Sequence, residues 1–535
     1  MKHVVPVLAS VALAVASLTV LVTSSSTAPA APAPMLPAGT IPISSLPFTI
    51  SSSGHYCLTS SLLASSGDDG ITIDASFVEL DLAGFELKGV RGSQIGIDAQ
   101  NRLHVVIRNG RVSFFDEGGI RGASNVVVED VEVIQCGGTP IELGLRARVE
   151  RVDVQVGEGD GVVVGDDSLV RECTIRMEET AVGALSCGDD CVVADVRTSR
   201  GASGIVAGAR CRIERCTTSE NTAVGMSVES CATVRDCCID AAPEAEDAFT
   251  GGDDCLLENV RTSGGLRGIT CIDRAQLSKC CVVDPTERGI FVGTFSVVED
   301  CSADVGFDAS VACRLSSYGK CLRTTTLGGQ KGIVNAQRAQ VVDCSVTGAT
   351  QVGIEVTSGS TVRGCGVSIP STGTYGIRII GSGTCDSCSV SGGAVGIGGL
   401  SICLVTDCTA VESGEKAIEL TSRGQVRGCV AYLGFGDGIV LGDDCVARDN
   451  ACTGIVGRGI VAAGDRNRIE GNSVNDCGVG LELVGQHNLT IGNQAMENTT
   501  ADFLTPISNP TGAVLKDFGT IDSSRPQANH GTPVF

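Results

Sequence analysis

Small, aliphatic and polar positions recur along this chain with a period of about 21 residues, the mark of a solenoid in which each repeat is one turn. Taking the small residue before each aliphatic pair as position zero, repeats start at Gly70, Gly96, Gly119, Pro140, Gly161, Ala184, Gly204, Gly225, Ala248, Gly268, Gly289, Ala309, Gly332, Gly353, Gly376, Gly396, Ala417, Gly438, Gly459 and Gly480. Positions one and three alternate as inward residues, as in Val162 and Val164 or Ile377 and Ile379. A period of two over so short a run predicts a strand. Position nine is aliphatic again (Val170, Ile213, Leu257, Val341, Val426), and position fourteen is often Ile, Val or Thr. Each repeat therefore has three inward clusters, enough for three short strands and three bends and too short for a helix with its loops.

Parallel stacking of such repeats yields an all-β chain, a single-stranded right-handed parallel β-helix of about twenty coils, roughly 95 Å long at the strand spacing. Bare sheet ends aggregate, so both ends need covering. The segments Asp69-Gly70-Ile71-Thr72-Ile73, Val78-Glu79-Leu80-Asp81-Leu82-Ala83-Gly84-Phe85 and Asn467-Arg468-Ile469-Glu470-Gly471-Asn472 resemble coils of exported bacterial right-handed β-helix repeat proteins of the pectin-lyase-like superfamily. The resemblance covers roughly residues 46 to 505 and implies the fold. It implies no activity, because that superfamily hosts lyases, hydrolases, metal-site maturation factors and binding rods. The expected organisation is a signal peptide over 1–30, a Pro/Ala-rich linker over 31–45, an N-terminal cap over 46–69, the β-helix over 70–500 and a C-terminal cap or tail over 501–535.

The N-terminus changes the compartment. Lys2 followed by the apolar run Val4 to Val22 and by Ala28-Pro29-Ala30 reads as an export signal or an uncleaved anchor, so the body is expected to be secreted, periplasmic or at the cell surface. No later apolar run is long enough to span a bilayer. The net charge of −23 excludes the basic stripe that nucleic acid requires.

An exported chain with 27 cysteines would ordinarily be a disulfide scaffold. The spacing argues for something else. Cys280, Cys301, Cys321, Cys344, Cys365, Cys388, Cys408 and Cys429 fall at position twelve, one interior column where cysteine serves as a small hydrophobe. Cys191 and Cys211 share position seven of adjacent coils and are candidates for pairing. Cys237-Cys238 and Cys280-Cys281 should each have one member facing out. Cys385-x-x-Cys388 has no partner pair at zinc spacing.

Gly-Asp-Asp recurs at Asp166-Asp167, Asp189-Asp190, Asp253-Asp254 and Asp443-Asp444, each at the corner after the first strand. Gly-Asp-Asp-Cys is similar to a motif of polygalacturonase-type hydrolases, whose Asn-Thr-Asp, Gly-His-Gly and Arg-Ile-Lys elements are missing here. Four copies in separate coils point to corner chemistry, side chain to backbone. Asp166, Asp167, Asp189 and Asp190 lie at equivalent corners of adjacent coils, where four carboxylates repel unless a cation intervenes, so they are either the ligands of a Ca²⁺ site or solvated acidic corners. The histidines are scattered, and no catalytic residue is assigned. Two functions remain: a non-catalytic scaffold or binding rod, with a polysaccharide or cell-surface component as partner, or a polysaccharide lyase or glycoside hydrolase using Ca²⁺ or the paired aspartates.

Overall fold

A computed structural model describes residues 39–178, 180–505, 509, 514–515, 529–530 and 533–534. Residues 1–38, where a signal peptide and most of a linker are expected, lie outside the described residues. The chain is a right-handed parallel β-helix of about 22 turns with three strands per turn, and no helix occurs among the described residues. One turn shows the rule. Its strands Val162–Val164, Leu169–Arg171 and Thr174–Met177 pair in parallel with Gly183–Cys187, Val192–Ala194 and Arg197–Ser199 of the next. Val162, Val170 and Ile175 sit over Leu185, Val193 and Thr198, so each inward position becomes a column. Stacking begins at Ile41–Ile43, which pairs with Gly54–Leu58.

In most coils two corners turn on a single residue in the left-handed region, at positions six and eleven. Asp167 (φ 58°) and Glu172 (φ 56°) do so in one coil, and Asp190 and Asp195 (both φ 56°) in the next. Such a conformation costs about 1–3 kcal/mol in a non-glycine residue. The residue after each corner points inward and repays it. In one corner column the Ala147, Ser168 and Cys191 N–H groups donate to Ser168 Oγ (3.0 Å), Cys191 Sγ (3.4 Å) and Cys211 Sγ (3.4 Å) of the following coil. In the other, the Cys280, Cys388 and Cys408 N–H groups donate to Cys301, Cys408 and Cys429 Sγ, each at 3.4 Å. Toward the C-terminus both columns change from sulfur to amide. Cys445, Asn467 and Asn488 N–H donate to Asn467, Asn488 and Asn509 Oδ1, while Cys429, Asn450 and Asn472 N–H donate to Asn450, Asn472 and Asn493 Oδ1.

The cysteine column is thus interior, as expected, but cysteine there is also a hydrogen-bond acceptor for a corner that strand pairing cannot satisfy. One coil corrects the register. Val311 and Cys313 pair with Arg288 and Ile290, so position zero is Ala312 rather than Ala309, after a longer loop. Cys321 consequently pairs with Val298 and Val341 at position nine, and buried Thr324 takes its place in the column. All 27 cysteines are free thiols, so Cys191 and Cys211 share a hydrogen bond and not a disulfide. Cys238 is exposed and Cys281 half-buried beside buried Cys237 and Cys280.

The first and third strands press together across the core. A Cβ added to Gly225, Gly268, Gly332, Gly353 or Gly376 would overlap Ile239, Val282, Val346, Val367 or Val390. Where position zero is Ala184, Ala248 or Ala312, position fourteen is Thr198, Thr262 or Thr326, and Ala417 is matched with Ala431. Gly353→Ala alone is expected to destabilise by about 1–3 kcal/mol through overpacking. Combined with Val367→Ala, which recreates the natural Ala417/Ala431 pairing, the loss should fall at least about 1 kcal/mol short of the sum of the single losses. Urea unfolding of the four chains measures this, and additive losses would show that the two columns do not touch.

Candidate functional site

The four aspartates proposed as metal ligands do come together at one corner of adjacent coils. Asp166 Oδ1 accepts the Asp189 N–H (2.9 Å), and Asp189 Oδ1 accepts the Ala209 N–H (2.9 Å). Arg210 forks across Asp190 (2.7 and 2.6 Å) and reaches Asp189 Oδ2 at 3.0 Å, while Asp167 lies 3.9 Å from Arg146. The Arg210 guanidinium holds the Asp190 carboxyl below the usual range. Asp253-Asp254 with Arg274, and Asp443-Asp444 with Arg466, repeat the arrangement. The first aspartate of each pair therefore ties down the next coil's backbone. Of the second aspartates, all at left-handed corners, Asp190, Asp254 and Asp444 pair with an arginine one coil on, whereas Asp167 faces Arg146 of the coil before. The cations facing these carboxylates are guanidinium groups.

His55 pairs with Glu79 (2.7 Å) and His104 stacks on Phe77 with ring centroids 4.9 Å apart. Burial raises the carboxyl pKa of Asp69 and of Asp247, the latter bonded to Thr270 (2.8 Å) and Arg267 (2.9 Å). These two belong to coils far apart along the rod and do not converge on one centre.

Among the described residues a polar concavity lies on the first coils, a groove of about 830 Å³ at the corner between the second and third strands. Its floor is a column of outward side chains in register: Glu86, Arg111, Glu132 and Asp153. The strands that present Arg111 and Glu132, Val105–Ser113 and Val126–Cys136, run through the corner without a break, with Asn109 (φ 62°) and Asp130 (φ 54°) as the bend residues. Arg111 bonds Glu132 at 2.7 Å, Ser113 Oγ donates to Glu86 at 2.7 Å, and Arg151 clamps Asp130 through two bonds of 2.6 and 2.8 Å. Arg151 keeps the Asp130 carboxyl below its usual range, so this acid is ionised near neutral pH and has no proton to deliver. Beneath it Glu150, only 1% exposed, anchors Arg148 (2.8 Å), Arg171 (3.2 Å) and Arg151 (3.3 Å). The groove is a row of carboxylate acceptors interrupted by the Arg111 donor and flanked by Arg151, suited to a polymer rich in hydroxyls.

Sequence reading missed this row. Its signal was present, an Arg or acidic residue at positions eleven and thirteen of the coils that start at Gly119 and Pro140, but the longer coils before them shift Glu86 and Arg111 to later positions. The same alternation runs through the whole repeat, so only the uninterrupted strands set these coils apart.

No protein-family pattern and no curated protein matches the chain. Among solved structures it is similar to the pre-mature gene product 12 of bacteriophage phi29, at 10% identity and a TM-score of 0.31 over 84% of this chain and 68% of that one. It is similar to the catalytic unit of an alpha-1,3-glucanase from Streptomyces thermodiastaticus at 13% identity and a TM-score of 0.22, over 66% of this chain and 59% of that one. The A-module of a mannuronan C-5 epimerase from Azotobacter vinelandii gives 12% identity and a TM-score of 0.17, over 70% of this chain and 90% of that one. At these scores no activity transfers, and the chain stands as a parallel β-helix on its own strand register.

Proposed function

We propose that the protein is an exported member of the pectin-lyase-like superfamily that binds an extended polysaccharide without cleaving it, at the cell surface or in the surrounding medium. The observation that supports this reading is the groove. It crosses five coils, from Ser61 to Asp153, about 19 Å at the strand spacing, which is the length of an oligosaccharide and not of one ring. Its charges are spent on one another in pairs such as Arg111 with Glu132 and Arg151 with Asp130, which pre-orders the hydrogen-bonding groups. Among the described residues no helix is long and apolar enough to cross a membrane.

The test is a panel of acidic and neutral polysaccharides, scored for retention of the protein and for released sugar ends. At least one polymer should bind, and Arg111→Glu, which reverses a half-exposed charge in the middle of the row, should weaken it about tenfold or more, equivalent to about 1.4 kcal/mol. Release of reducing or unsaturated ends would establish an enzyme instead. Failure of every polymer to bind would remove the reading.

A further inference from the structure

Two groups of three sulfurs stand inside the rod. Cys187, Cys191 and Cys211 form one, and Cys385, Cys388 and Cys408 the other; in each the three Sγ atoms lie within 4.8 Å of one another. All six side chains are buried. Both groups have one construction: two cysteines of a corner column in adjacent coils, joined by a third from a strand position that is usually aliphatic. Cys385 pairs in register with Val362 and Val405, and Cys187 with Val164 and Ala207.

We propose that each trio is a binding site for one soft, closed-shell ion of the Cu(I) class, held by three thiolates. An ion about 2.3 Å from three sulfurs in its plane sets those sulfurs about 4 Å apart. Cys385 Sγ and Cys408 Sγ are already 3.7 Å apart. Neither trio has a fourth carboxylate, imidazole or thiolate in the same cluster among the described residues, so the tetrahedral demand of Zn²⁺ is unmet, whereas soft sulfur ligands select Cu(I). Buried thiolates need donors. Cys211 and Cys408 Sγ each receive a backbone N–H at 3.4 Å, and Cys191 Sγ receives that of Ser168 at 3.4 Å. Binding releases thiol protons to solvent and changes no oxidation state.

The experiment uses the full chain with Cys231, Cys238 and Cys281, its thiols outside the core, changed to serine. Reduced protein is titrated anaerobically with Cu(I) presented as a coloured bathocuproine disulfonate complex, which surrenders copper only to tight sites. Two ions per chain should transfer, and X-ray absorption should show three sulfurs per copper. Cys187→Ser and Cys388→Ser should each lose one ion, and the pair of substitutions both; Cys173→Ser, in a column but outside either trio, should lose none. Serine is close to cysteine in size, and circular dichroism confirms that each variant folds. Retention of the copper by the chelator overturns the proposal even if no variant folds. So does uptake that is unchanged by Cys187→Ser and Cys388→Ser, or lowered equally by Cys173→Ser.

Discussion

Asn472→Leu is expected to destabilise the rod by about 4 kcal/mol, although the two side chains are close in size and the site is fully enclosed. Asn472 is 1% exposed, and its Oδ1 accepts both the backbone N–H and the Nδ2 of Asn450 at 2.9 Å. Its own Nδ2 donates to the Ala447 carbonyl at 3.0 Å and to Asn493 Oδ1 at 2.9 Å. Leucine leaves the Asn450 N–H buried without its acceptor, at about 1–3 kcal/mol, and removes three further side-chain amide bonds, to Asn450 Nδ2, the Ala447 carbonyl and Asn493 Oδ1, at about 1 kcal/mol each. Neighbouring amides cannot turn to help, because each is committed to the coil above and the coil below. The informative comparison is Asn472→Cys. Cysteine fills the equivalent place in the earlier coils and accepts the same corner N–H, so its loss should be about half that of leucine or less. Urea unfolding at one pH compares the three proteins. If leucine is tolerated within about 1 kcal/mol, the corner column is ordinary apolar packing and the amides carry no special load.

That contrast shows what could be read without coordinates. The repeat, its three strands and the interior place of Cys344, Cys365, Cys388, Cys408 and Cys429 were legible, because inward positions recur with fixed spacing and any slip would turn aliphatic side chains outward. The meaning of the cysteine was not. Burial favours a thiol as a small hydrophobe, and only the left-handed corner before it reveals a backbone N–H needing an acceptor. Asn450, Asn472 and Asn493 continue the same column in plain sight, yet they read as polar loop residues when taken coil by coil. Ala309 misled for a related reason. A long coil followed by a short one restores the average period, so Cys321 kept the beat while moving to another column. The sulfur trios were hidden because Cys187 and Cys385 belong to strands, and their neighbours across the bore are set by the cross-section and not by sequence spacing. The groove lay equally out of reach, since its charges resemble those of every other coil.

The second large effect concerns the bore itself. Phe249→Ala is expected to cost about 5 kcal/mol, the upper end for a buried aromatic ring. Phe249 occupies position one, fully buried between Met226 and Ile269 of the neighbouring coils. Position three of the same coil is Gly251, where other coils place Val164, Val292, Leu315 or Ile379. A Cβ on Gly251 would meet Phe249 Cε1 at 3.1 Å and Cys271 Sγ at 3.1 Å, so the ring occupies the room that a second side chain would need. With alanine at 249 the coil has almost no inward bulk on its first strand, and the rigid coils on either side cannot close the gap without breaking their own register. Gly251→Val should then act in opposite directions in two backgrounds. Alone it overpacks the ring and destabilises by about 1–3 kcal/mol. Added to Phe249→Ala it refills part of the cavity and should restore about 1–2 kcal/mol. Thermal and urea unfolding of the four chains read the sign directly. A valine that deepens the loss in the alanine background would mean that the ring and the glycine are not filling one shared space.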